Sequence, residues 1–115
     1  MSCIVTDLVK QQARKLFAPD EAELVISRLE ASHFPVGDDG VLAERIHFAV
    51  LYLSGGDMQT FDKTVHVGEY DWRDVLCDAG LGGEDWPDVL RRRGIDFPRG
   101  TYADIIMASI RRGVA

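Results

Sequence analysis

Val41-Leu42-Ala43-Glu44-Arg45-Ile46-His47-Phe48-Ala49-Val50-Leu51-Tyr52-Leu53-Ser54 is the stretch that decides the fold class. Leu42, Ile46, Ala49, Val50 and Leu53 recur at helical spacing, and Phe48, Leu51 and Tyr52 cover much of the remaining circumference. A helix that is apolar nearly all round needs neighbours on every side, so it belongs at the centre of its domain. Gly55-Gly56 ends it, because glycine enters the left-handed conformation that closes a helix without a Cβ penalty. Asp57 then supplies a cap for a following helix whose inward residues are Met58, Phe61 and Val65.

Working outward, the same period of 3.6 holds on both sides. Val5, Leu8, Val9 and Leu16 share a face of the first helix, which Pro19 ends. That proline also suits the first position of the next helix, where Asp20, Glu21 and Glu23 complement the positive N-terminal pole. Ala22, Val25, Ile26 and Leu29 form its stripe. Residues 33–40 carry the proline, glycines and aspartates of a connecting loop. Downstream, Asp71-Trp72-Arg73-Asp74-Val75-Leu76-Cys77-Asp78-Ala79-Gly80 matches Asp85-Trp86-Pro87-Asp88-Val89-Leu90-Arg91-Arg92-Arg93-Gly94 at six of ten positions. Each copy reads as a short helix with an Asp cap, an apolar trio and a closing glycine. An offset of 14 residues is too short for the common solenoid repeats. Thr101 caps an expected last helix with Tyr102, Ile105, Ile106 and Ile110 inward.

These readings add up to an all-α fold: one domain over residues 1–115, a compact bundle of six or seven short helices with the central one at about 41–54. At 115 residues and 46% hydrophobic content the chain can build a core without disulfides, and its two cysteines, Cys3 and Cys77, are read as free thiols. No run reaches the ~18 apolar residues of a membrane span, and Met1–Asp7 has no signal-peptide pattern. A cytoplasmic location is therefore the default expectation.

The formal net charge of -6 hides an asymmetry. Residues 1–88 hold 7 Lys and Arg against 17 Asp and Glu, whereas residues 89–115 hold 6 Arg against 2 Asp. Arg91, Arg92, Arg93, Arg99, Arg111 and Arg112 thus gather in the last quarter. Basic side chains at helix C-termini complement the macrodipole, and the sharper reading of the same residues is a basic face for an acidic partner, a second copy or phosphates. Trp72 and Trp86 are packing anchors in one reading and interface anchors in the other.

Little in the sequence points to chemistry. Glu44 and His47, and in reverse order His66 and Glu69, sit three apart, a spacing that dimetal bundles use with further glutamates from long facing helices. Those further glutamates are not evident. Cys77 falls late in its helix, where the dipole disfavours a thiolate. No catalytic residue, metal or cofactor is assigned.

Arg45-Ile46-His47-Phe48-Ala49-Val50-Leu51 through Leu53-Ser54-Gly55-Gly56-Asp57, then Asp71-Trp72-Arg73-Asp74-Val75-Leu76 with Ala79-Gly80, resembles a group of small uncharacterised bacterial proteins. These carry an Arg-Ile-x-x-Ala-Val-Leu-x-Leu-x-x-Gly-Asp stretch followed by Asp-Trp-Arg-Asp-Leu-Leu. The resemblance spans roughly residues 44–90 and implies a bacterial origin and a shared helical core. The expected function is a non-catalytic module that binds a protein partner or itself. Nucleic-acid binding through the C-terminal arginines is the alternative, disfavoured by the acidic chain, and a small metal protein or enzyme is the third.

Overall fold

A computed structural model describes residues 4–36 and 39–97. Within them the chain forms α1 (Asp7–Leu16), α2 (Pro19–Glu30), α3 (Gly40–Ser54), α4 (Met58–Asp78) and α5 (Trp86–Arg92), with no strand among the described residues. None of these helices is long and apolar enough to cross a membrane.

Each start follows from local chemistry. The Thr6 hydroxyl accepts the Val9 N–H at the head of α1, Asp39 accepts that of Leu42 for α3, and Asp57 accepts that of Thr60 for α4. Pro19 opens α2, where its missing N–H costs nothing.

Among the described residues the helix count is five, not six or seven. The separation expected at Asp71 is a kink inside α4: Asp71 adopts φ -146 and ψ 85 while helical pairing resumes on either side. A residue preset as an N-cap has extended backbone, and Asp71 keeps that backbone here, so the two helical arms meet at it in a kink. The helix expected from Thr101 lies outside the described residues.

The 14-residue repeat has a shared ending. Leu81 N–H reaches the Leu76 carbonyl at 2.9 Å and Gly80 N–H that of Cys77 at 3.1 Å; Ile95 and Gly94 bond Leu90 and Arg91 in the same way at 3.0 and 3.1 Å. Gly80 and Gly94 take φ of +74 and +86, so both copies close in the paired-bond glycine motif that satisfies the last carbonyls. Arg45 of α3 then ties down the turn between the copies, donating from Nε to the Leu81 carbonyl at 2.7 Å and from its terminal nitrogen to that of Gly83 at 3.3 Å.

The core lies around α3, which packs chiefly on α4 and then on α1, and every residue from Ile46 to Leu51 is buried. Phe61 and Val65 of α4, Val9 and Ala13 of α1, and Val25 and Leu29 of α2 close over it.

The α3–α4 turn offers a paired test. Gly55 has φ +58 with open space around its missing Cβ, whereas Gly56 has φ +83 and a Cβ there would stand 2.8 Å from the Leu16 carbonyl oxygen. Gly55→Ala carries only the left-handed penalty of about 1 kcal/mol. Gly56→Ala adds a collision with the backbone at the end of α1, for a total of roughly 2–4 kcal/mol. Urea titration of both variants checks the ranking, and equal losses would show that the turn simply shifts to make room.

Candidate functional site

The arginines that the sequence singles out are tied into the fold wherever they are described. Arg91 reaches Asp88 at 2.8 Å, donates from Nε to the Phe97 carbonyl at 2.9 Å and lies over the Phe97 ring. Arg92 pairs with Asp85 at 3.4 Å. Arg93 stacks on the Tyr52 ring, its guanidinium carbon 3.7 Å from the centroid. The acids just upstream of the arginine run thus supply partners to Arg91 and Arg92. Arg99, Arg111 and Arg112 lie outside the described residues.

The two tryptophans part company. Trp86, only 5% exposed, sits in the core with its ring edge-on to Phe97 at 5.2 Å and Arg45 above it. Trp72 is half-buried against the core, with Arg73 stacked on it at 5.0 Å. They do not share an exposed face. In the first copy the repeat is the second arm of α4 and lies along the surface; in the second it is a free-standing helix that rolls its tryptophan inward.

The polar pairs considered for metal binding are engaged separately. The Thr6 hydroxyl donates to Glu44 Oε2 at 2.7 Å, and burial raises the Glu44 carboxyl pKa despite that bond. Glu69 accepts the His33 N–H at 2.7 Å and Arg28 at 3.1 Å. His66 Nδ1 stands 3.9 Å from Glu69, with its ring mostly in water. Among the described residues no three His, Cys, Asp or Glu side chains come together as a metal would require. Cys77 is free and exposed.

Two features escape the sequence reading. The first is His47. It is fully buried, both ring nitrogens lack a hydrogen-bond partner, and its ring lies 5.9 Å from that of Phe34. Burial among apolar groups pushes its pKa down to about 4.

The second is a group of large apolar side chains exposed on the outer sides of α2 and α4. Phe17, leading into α2, meets Phe61 near the start of α4 at 6.0 Å, and Arg28 near the end of α2 meets Glu69. The two helices therefore run side by side in the same sense, and Leu24 comes level with His66. Leu24 is 62% exposed, Val67 45% and Tyr70 93%, on the faces turned away from the core. The Arg28–Glu69 pair and the His33 N–H join α4 to the end of α2 on its other side. The signal was available in principle: Val67 and Tyr70 fall opposite the Phe61 and Val65 stripe at helical spacing.

No family model, curated protein or solved structure matches this chain at a significant level.

Proposed function

We propose that this chain is a non-catalytic protein-interaction module, meeting a protein partner or a second copy of itself through the outer face of α4. The observation that carries the reading is Tyr70, 93% exposed on α4 just before its kink, with Val67, also exposed, one turn before it. A tyrosine standing in water one turn from an exposed aliphatic side chain matches the composition of interface cores, where Tyr is enriched and charge is depleted. The Arg28–Glu69 ion pair ties this arm of α4 to α2, so the exposed side chains are presented on a braced helix. The bacterial resemblance and the free thiol of Cys77 accord with a cytoplasmic setting.

The arginine-rich end supports this reading less, because Arg91 and Arg92 already have acidic partners within the chain. The same pairing weakens the nucleic-acid alternative, which needs cations free to displace counterions from phosphate.

The double substitution Val67→Asp and Tyr70→Asp tests the proposal. Both side chains are solvent-facing, so stability is expected to change by no more than about 0.5–1 kcal/mol. Self-association in sedimentation velocity, or capture of a partner by the tagged protein, is expected to fall at least tenfold. A wild-type chain that stays monomeric and captures nothing the double variant loses would overturn the reading.

A further inference from the structure

We propose that His47 and Phe34 form an acid-released latch that holds the loop between α2 and α3 onto α4. The inference stands independently of the interaction surface. Phe34 is buried, although its neighbours His33 and Pro35 are exposed, so its ring anchors the middle of the segment between buried Ser32 and partly buried Val36. It presses on α4 at Gly68, where a Cβ would stand 2.7 Å from the Phe34 Cε1. The absence of a side chain at Gly68 is what lets the ring in. On its other side lies the His47 imidazole, 5.9 Å from ring centre to ring centre.

That imidazole is compatible with the closed loop only while neutral. A protonated ring has two N–H donors and a full charge, and neither nitrogen has an acceptor where it sits. The charged groups on the surrounding elements are committed elsewhere. Glu44, one turn earlier on α3, accepts from Thr6; Arg28 of α2 and Glu69 of α4 hold each other; and Glu69 also takes the His33 N–H. The His33 and Glu30 side chains point to solvent. Although partial burial works against it, the His33 N–H and Arg28 keep the Glu69 carboxyl below the usual range, so Glu69 retains its charge while His47 of the open form takes up its proton.

The cheapest way to hydrate a protonated His47 is to lift Phe34. The loop carries no helical hydrogen bonds at that point, whereas the other side of α3 is packed into the core. Release exposes a phenylalanine and breaks the His33–Glu69 hydrogen bond, and it leaves the five helices paired. Proton binding to the open form at the ordinary imidazole pKa of 6.5, against about 4 in the closed form, raises the opening equilibrium about 20-fold between pH 7 and pH 5.

Hydrogen exchange read by mass spectrometry on the full chain, corrected for the intrinsic pH dependence, tests this. Peptides over residues 31–36 are expected to lose about 20-fold in protection between pH 7 and pH 5, while peptides from α3 and α4 keep theirs. His47→Leu and His47→Gln, neither of which titrates, are expected to abolish the change, and Phe34→Ala to leave the loop open at both pH values. Loop protection that does not change with pH in the wild type overturns the latch. So does an equal change in the His47 variants, or loss only together with α3 and α4. If one variant fails to fold, the other and the wild-type profile still decide.

Discussion

Replacing Trp86 with alanine is expected to remove about 3–5 kcal/mol of folding free energy, a large share of what a domain of this size holds. The indole is 5% exposed and links three elements. Its edge meets Phe97 at 5.2 Å, and Phe97 in turn meets Phe48 of α3 at 6.2 Å. Arg45 lies over the ring at 5.6 Å while its nitrogens hold the Leu81 and Gly83 carbonyls. Truncation leaves a void that α5, only seven residues long, cannot close by itself. It also removes the surface that orients Arg45 on the connecting turn. Trp72→Ala is expected to cost much less, about 1–2 kcal/mol, because that indole is only partly buried, at the edge of the core. Urea unfolding followed by circular dichroism measures both. Similar losses at the two positions would mean that the repeat copies are energetically equivalent, against the environments described above.

Acidification gives the second large effect. His47 is held neutral in the fold, with a pKa depressed from 6.5 to about 4. The unfolded chain therefore binds more protons between those values, and stability falls as pH drops through that window. The loss attributable to His47 is about 2 kcal/mol at pH 5 and about 3 kcal/mol by pH 4, and opening of the Phe34 loop caps it wherever opening is cheaper. Glu44 acts in the opposite sense: burial raises its folded pKa, so its contribution is present in acid and fades as pH rises through the folded value. The comparison that isolates His47 is the difference between wild type and His47→Leu. Leucine of similar bulk leaves no unmet donor or acceptor, so the variant is expected to match or exceed wild type at pH 7 and to lack this part of the acid slope. Parallel stability curves for the two proteins from pH 7 to pH 4.5 would refute the assignment.

Much of the fold was legible because helices obey local rules. Pro19, Gly55, Asp57, Gly80 and Gly94 punctuate the chain where the sequence places them, since cap and glycine chemistry acts within a few residues. The run from Ile46 to Leu51 reads as central and is buried throughout. The number of helices was less legible: Asp71 carries the signature of a start, and whether the arms on either side diverge or join depends on what each packs against. The functional surface was the least legible. The arginine run reads as a free basic face until Asp85 and Asp88 are seen to lie within reach. Glu44 and His47 read as a polar pair on one helix face, yet one finds Thr6 and the other only an aromatic ring.

The sequence by itself determined that this is a helical protein built around residues 41–54, because period, caps and glycines are properties of neighbouring residues. Tertiary structure alone decided that the twin Asp-Trp-x-Asp-Val-Leu segments differ, one tryptophan in the core and one at its edge, since identical segments cannot occupy the same place against α3. It also decided that His47 is sealed behind Phe34 and that Val67 and Tyr70 of α4 stand in water. Burial and company depend on how distant helices meet, and a pattern repeated every 3.6 residues carries no record of that.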